Sequence, residues 1–203
     1  MPARPSSQSV RRAATYADVE ALPPNIVGEI LFDELVTHPR PAPLHAIAAS
    51  ALGAELSDAF QRGRTGPGGW IFMVEPELHF GGHVAVPEVA GWRRETLPAL
   101  PDTAWIETPP DWVVEVLSPS TEIYDRGPKR QVYAAAGVRH LWLVDPRLKL
   151  LEAFALSGGK WILLAALRNE EEVSVPPFDA ISFSLGLLWP YDHPAGVTAP
   201  STP

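Results

Sequence analysis

The run VVEVL at residues 113–117 constrains the fold of this chain more than any other stretch. It is short and rich in β-branched residues, and the segments PPD and SPST bound it on either side, as is typical of a buried strand. Alternation places Glu115 on one face between Val113 and Leu117, while the opposite face is apolar. Apolar residues on both faces predict a central strand of a sheet that is covered above and below.

Glu115 is the unusual residue of this strand. A carboxylate in a buried strand is costly unless it is paired, hydrogen-bonded or bound to a cation. The strand alone leaves two interpretations open. Glu115 is either a structural residue satisfied by an arginine or by backbone amides, or a metal ligand in an active site.

Length and composition limit the classes of protein that the chain can represent. Its 203 residues predict a flexible leader at 1–15, one domain at 16–190 and a disordered tail at 191–203. The chain has no apolar run of the roughly 20 residues that span a membrane, and no signal-peptide pattern. Because it has no cysteine, any metal would be held by carboxylates, carbonyls or imidazoles. These features predict a cytoplasmic protein.

The formal net charge of -8 argues against a protein that coats nucleic acid through bulk charge. An enzyme with a local basic rim remains compatible with this charge, because clustered catalytic carboxylates themselves add negative charge.

The remaining pattern predicts an alternation of strands and helices. The predicted elements are a helix at 16–22, a hairpin at 26–36, a helix at 44–62, a strand at 70–74 that extends through 78–80, a strand at 84–92, a helix at 125–137, a strand at 140–144, and a hairpin at 150–167. Gly137 is suited to end its helix. The order strand, helix, strand around 113–144 predicts a parallel strand pair.

Two further charged residues stand on predicted apolar elements. Glu88 follows Pro87, which cannot donate to a sheet ladder, so we expect a bulge or an opening there. Lys129 lies on the buried face of its helix and should point back towards the end of the sheet. For an isolated lysine, a buried stem with a solvated amine is the simpler interpretation.

The histidines carry weaker signals. His45 falls in the first turn of its predicted helix, where a surface or capping role is expected. His79 and His83 lie four positions apart around two glycines, and without a helix that spacing is a weak indication of a metal site.

Together, Glu88, Glu115 and Lys129 would suit phosphodiester cleavage. Two carboxylates on adjacent strands can share a divalent metal, and a nearby ammonium can stabilise a leaving oxygen or orient a water. The chain lacks the glycine-rich nucleotide loops, the G-x-S-x-G elbow and the H-E-x-x-H motif of other enzyme classes.

The segments PDWVVEVLSPST at 110–121, DRGPK at 125–129 and LWLVDP at 141–146 resemble the Uma2 family, a restriction-endonuclease family of the PD-(D/E)XK nuclease-like superfamily. The similarity extends over about 26–189. It implies an α/β fold: a restriction-endonuclease-like core in which a mixed β-sheet is flanked by helices, with extra β-hairpins.

The resemblance also implies roles for individual residues. Glu88 stands at the first acidic position and Glu115 at the second, both as ligands of Mg²⁺ or Mn²⁺, and Lys129 supplies the lysine that position 117 lacks. Glu29 and Glu34 match two glutamates of the opening hairpin, and Glu34 is favoured as the catalytic one. Glu88 departs from the usual aspartate and is one methylene longer, which could displace a metal.

Two functions follow from the resemblance. The first is a metal-dependent endonuclease acting on DNA, in which Glu88 and Glu115 hold the metal, Glu34 assists and Lys129 orients water. The second is a catalytically weak or inactive nuclease-like module that binds protein or DNA. The resemblance leaves a homodimer open.

Overall fold

The computed structural model describes residues 12–39 and 42–192. Helix α1 (Tyr16–Glu20) begins at Thr15, which forms a capping box with Asp18. The last residues of the predicted leader contact this region, because Arg12 forms an ion pair with Asp18 and the Ala14 amide donates to the Asp33 carbonyl. The first eleven residues of the leader, and the predicted tail from 193 onward, lie outside the described residues.

The strands form two main sheets. Strands β1 (Ile26–Leu31) and β2 (Glu34–Pro39) make the predicted hairpin, and β4 (Leu78–Phe80) and β5 (His83–Ala85) join it. Within residues 12–39 and 42–192 this sheet has four strands in the order β2-β1-β5-β4.

The larger sheet contains the predicted central strand. Its members are β3 (Trp70–Val74), β6 (Val89–Arg93), β7 (Trp112–Val116), β8 (His140–Asp145), β9 (Leu150–Ser157) and β10 (Lys160–Arg168). In the described part of the chain their order is β10-β9-β8-β7-β6-β3. A short pair, β11 (Glu172–Val173) and β12 (Phe183–Ser184), follows.

Strand β7 is central, as its apolar faces predict. It pairs with β6 antiparallel and with β8 parallel, and each of its five residues is buried. On one face, Trp112 and Val114 pack in a cluster with helix α2 (Pro43–Leu56). On the other face, Val113 packs in a cluster with Tyr133. The sheet is therefore covered on both sides, and the predicted mixed sheet between helices is confirmed.

Helical segments connect β7 to β8. Helix α3 (Glu122–Tyr124) continues as one wider π-helical turn (Asp125–Lys129) and then as α4 (Arg130–Ala136). Gly137 ends α4 in the left-handed conformation with φ of 85°, which confirms the predicted helix stop. Helix α2 likewise continues as a π-helical turn (Ser57–Gln61).

The prediction of one continuous strand at 84–92 was wrong. The chain leaves the smaller sheet after β5 and enters the larger sheet at β6, and the residues between these strands, Val86, Pro87 and Glu88, belong to neither sheet. Pro87 has no amide proton to donate to a ladder, which explains the break at this point. The expected extension of β3 through 78–80 was also wrong, because β4 belongs to the other sheet.

Candidate active site

A cavity of about 210 Å³ lies at the carboxyl end of β7, where the two sheets meet. Elements distant in sequence contribute to its wall: the hairpin, the first turn of α2, the segment between β5 and β6, and the loop and π-helical turn that follow β7. The lining residues are Val27, His38, Ala42, His45, Glu75, Val86, Glu88, Glu115, Val116, Ser118, Pro119, Ser120, Thr121, Asp125 and Lys129.

Glu115 is held by two donors at the wall of this cavity. Lys129 Nζ lies 2.8 Å from Glu115 Oε1, and the Tyr133 hydroxyl donates a hydrogen bond of 2.6 Å to the same oxygen. All three side chains are buried. Because both contacts use Oε1, we take the second oxygen of the carboxylate as the one available to a ligand.

Lys129 is held by further acceptors around it. Its Nζ lies 3.0 Å from Glu29 Oε1 and 3.4 Å from Asp125 Oδ1, and it donates to the Val86 carbonyl at 3.2 Å. Asp125 lies one helical turn before Lys129, so this pair is local, whereas Glu29 comes from β1. An ammonium has three protons, and the contacts named here, together with the contact to Glu115, occupy all three with acceptors from the protein.

If all of its carboxylates are ionised, the cluster carries more negative than positive charge. Among the described residues in contact with Lys129, the carboxylates of Glu29, Glu115 and Asp125 face one ammonium. Burial raises the pKa of Glu115 to about 8, against the opposing effect of Lys129. Burial also raises the pKa of Asp125 above its ordinary value. With a pKa of about 8, Glu115 mostly holds a proton at neutral pH in the empty site, and a bound cation in place of that proton would offset the same charge.

Glu29 and Lys129 stay charged in spite of their burial. Burial raises the pKa of Glu29, but Lys129, His38 and the Val86 amide outweigh it and hold that pKa below its ordinary value. Burial lowers the pKa of Lys129, but the surrounding carboxylates outweigh it, so its pKa lies well above the usual range. Glu29 and Lys129 therefore form the ion pair of the cluster that keeps its charges.

Glu88 reaches the same cavity from the segment before β6. Its Oε2 contacts Nε2 of His45, which projects from the first turn of α2. Both side chains are 12% exposed. The structure therefore brings Glu88, Glu115 and Lys129 to one cavity, as their placement on apolar elements suggests.

The structure does not bring Glu34 to the cavity. Glu34 is exposed beside the turn, opposite Leu31, and lines a separate surface depression with Arg12 and Tyr124. The cavity is lined by His38, which lies four residues further along β2, or about 13 Å at strand spacing. Glu29, from the other arm of the hairpin, is the glutamate that joins the cluster.

Sequence reasoning missed other members of the site. Asp125 begins the predicted helix at 125–137, and its position there indicates no role in a site, but it is 3% exposed and lies beside Lys129. A spacing of four residues from Lys129 was the signal that could have identified it, and Tyr133 lies four residues beyond Lys129 on the same face. His45 was interpreted as a surface or capping residue, and nothing local indicates its contact with Glu88.

The other histidine pair does not contribute to the cavity. His79 Nε2 lies 2.7 Å from Glu77 Oε1, and its ring stacks on Trp105. His83 accepts a hydrogen bond of 3.2 Å from the Phe32 amide. Neither residue lines the cavity of Glu88 and Glu115.

The donors of the cavity suit Mg²⁺ or Mn²⁺ in kind. Within residues 12–39 and 42–192, no group of three or more His, Asp or Glu side chains is arranged to hold a metal ion by itself. Mg²⁺, however, is commonly bound through one or two carboxylates, with waters and substrate phosphates completing its shell. Glu88 and Glu115 supply two carboxylates at one cavity, and the excess negative charge around Lys129 favours a divalent cation there.

Residues 14–187 match the protein family Uma2, which is described as "Putative restriction endonuclease". The match covers most of the chain. The chain belongs to the Uma2 family. No functionally curated protein matches the sequence. Among the described residues of this Uma2 protein, no helix is long and apolar enough to cross a membrane.

A solved structure supports the fold. The Uma2 chain is similar to a protein from Anabaena variabilis described as a "putative nuclease belonging to DUF820", with a TM-score of 0.67 and 18% sequence identity. The similarity covers 81% of this chain and 90% of the other. At that identity it supports the restriction-endonuclease-like fold, with its mixed sheet and flanking helices.

Proposed function

We propose that this protein is a metal-dependent endonuclease that hydrolyses phosphodiester bonds of DNA at the cavity of Glu88 and Glu115. The observation that carries the proposal is the placement of both carboxylates at one cavity, next to a buried cluster with excess negative charge. Membership of a nuclease-like family and the fold support the same reaction class.

In this proposal Glu88 and Glu115 hold the metal, and the longer Glu88 replaces the aspartate that the resemblance leads one to expect. When bound, Mg²⁺ or Mn²⁺ supplies positive charge and makes a water more acidic. Negative charge that develops on the scissile phosphate is then offset at the cavity. The assignment of DNA as the substrate class rests on the match to the family.

The protein's own residues do the positioning. Lys129 and Tyr133 fix one oxygen of Glu115, so the second oxygen has a defined direction. Glu29 keeps Lys129 charged and in place, and we assign to Glu29 the supporting position that was expected for Glu34. Because protein acceptors engage Lys129, we propose that it acts on water or a leaving oxygen through the Glu115 that it orients.

A second function is favoured by the same contacts. Lys129 is saturated by protein acceptors, Glu88 is paired with His45, and the chain has a net charge of -8. An inactive nuclease-like module that binds protein or DNA could use this cluster only as structural support.

Cleavage of supercoiled plasmid separates the two functions. We expect the purified protein to nick plasmid DNA with Mn²⁺, since Mn²⁺ tolerates the ligand geometry that a longer Glu88 imposes, and we expect EDTA to stop the reaction. Glu88→Ala should remove most of the activity. Binding of DNA without cleavage of any duplex, single-stranded or branched substrate would support the binding module instead.

A matched control addresses contamination. Glu77 also pairs with a histidine, His79, but lies outside the cavity. Glu77→Ala, purified by the same steps, should nick like the wild type. Equal nicking by the wild type, Glu88→Ala and Glu77→Ala would assign the activity to a contaminant or to another site.

A further inference from the structure

His45 is the only histidine in the described residues that pairs with Glu88, and the contact joins elements far apart in the chain. His45 stands in the first turn of α2, whereas Glu88 lies in the segment that passes from the smaller to the larger sheet. Both residues line the cavity that also contains Glu115. The contact is therefore part of the cavity wall.

The direction of the hydrogen bond follows from the chemistry of the two groups. An ionised carboxylate can only accept, so Nε2 of His45 carries the proton and donates to Oε2 of Glu88. The other ring nitrogen, Nδ1, is buried and has no hydrogen-bond partner among the described residues. Glu88 is thus the polar group that anchors this ring.

Glu88 needs such an anchor more than an aspartate would. Its side chain has one more rotatable bond, and it stands on the segment between the two sheets, where the Glu75 amide donates to the Glu88 carbonyl but leaves the side chain unrestrained. A ligand carboxylate that samples several rotamers loses affinity, because its ordering must accompany metal binding. A donor on the rigid first turn of a helix removes that freedom.

We propose that His45 is a positioning residue that donates to Glu88 and holds its carboxylate in the orientation that binds a divalent metal. The inference rests on the proposed function, since it assigns a role to His45 at the same metal site. Glu88 keeps its second oxygen for the metal while the first is held by the imidazole. His45 acts through Glu88 and does not itself bind the metal.

Calorimetric titration with Mn²⁺ alone tests this role without relying on nuclease activity. His45→Leu removes the donor, and we expect it to weaken Mn²⁺ binding by about 10–100-fold, the usual effect of losing a partner of a metal ligand. His45→Gln keeps an N–H donor at similar reach and should stay within a fewfold of the wild type. His79→Leu removes the histidine of the similar pair with Glu77 outside the cavity, and should leave the affinity unchanged.

Melting in EDTA shows whether each variant folds. If His45→Leu is unfolded, His45→Asn replaces it, because the shorter amide cannot reach Glu88 as Nε2 does; the same weakening is expected. If the Leu (or Asn) and Gln variants weaken Mn²⁺ binding equally, His45 is itself a ligand. If none of these variants changes the Mn²⁺ affinity, His45 has no role at the site. Either result overturns the inference. In both cases the wild type still binds Mn²⁺ and the proposed function stands, whereas a wild type that binds no Mn²⁺ overturns both.

Discussion

The ammonium of Lys129 lies 2.8 Å from Oε1 of Glu115, and this contact joins the helical turn after β7 to the strand itself. This contact bears on both interpretations of the buried Glu115, as a structural residue and as a metal ligand. Lys129 satisfies one oxygen of the carboxylate, as a structural partner would, while the cavity beside it gives a metal access to the residue. Both roles can therefore be served by the same side chain.

Removing the charge of Lys129 should destabilise the fold. In Lys129→Met the carboxylates of Glu29, Glu115 and Asp125 would remain buried without their cation. Loss of one partner from a buried ion pair typically costs about 3–5 kcal/mol. We expect denaturant unfolding to show a loss of that size, and Lys160→Met, at an exposed position, to show almost none. A fully stable Lys129→Met would mean that the cluster does not depend on its ammonium.

Divalent cations should stabilise the wild type. A ligand that binds only the folded protein at a hundred times its dissociation constant adds about 2.7 kcal/mol. Glu115→Gln keeps the shape of the side chain but cannot ionise to bind a cation, so the increase in melting temperature with Mn²⁺ should disappear. An unchanged increase in Glu115→Gln, measured by differential scanning fluorimetry, would place the metal elsewhere.

The two glutamates of the hairpin should differ sharply. Glu29→Gln removes a charge that lies 3.0 Å from Lys129 and leaves only a neutral amide oxygen to accept from the Val86 amide, so we expect lower stability and weaker Mn²⁺ binding. Glu34→Gln alters an exposed residue beside the turn and should leave both unchanged. Calorimetric titration and melting of the two variants provide the comparison. A larger effect at Glu34 would contradict the assignment of Glu29 to the cluster.

The helix stop at Gly137 gives a test of the fold that is independent of the cavity. A Cβ at Gly137 would meet nothing within 4 Å, but its φ of 85° disfavours any side chain. Gly137→Ala should therefore cost about 1 kcal/mol. Gly53, in α2, has equally open surroundings and no positive φ, so Gly53→Ala should stabilise by about 0.5–1 kcal/mol. Opposite signs in denaturant unfolding are the expected result, and equal effects would refute it.

Local pattern predicted the parts of the fold that depend on neighbouring residues. The central strand, the helix ending at Gly137 and the parallel pair of β7 with β8 follow from alternation and breaker residues. The passage of the chain from one sheet to the other at Pro87 does not follow from local pattern. An apolar run has the same sequence pattern whether its residues join one sheet or two.

The site was predictable where a charge interrupts an apolar pattern. Glu115 and Lys129 stand out in this way, and both line the cavity. The selection of Glu29 over Glu34 depends on which end of the hairpin faces the other sheet, and the contact of His45 with Glu88 depends on how α2 packs. Such contacts are decided by tertiary packing, which the spacing of residues along one element does not encode.

The central claim is that the cavity cleaves DNA with a metal held by Glu115. The most direct measurement is the initial rate of plasmid nicking with Mn²⁺ by the wild type and by Glu115→Gln, purified identically and shown to be folded. We predict that the wild type nicks the plasmid and that Glu115→Gln is slower by about 100-fold or more, the scale of loss when charge stabilisation is removed from an active site. Equal rates for the two proteins, or no cleavage by a folded wild type, would contradict the account.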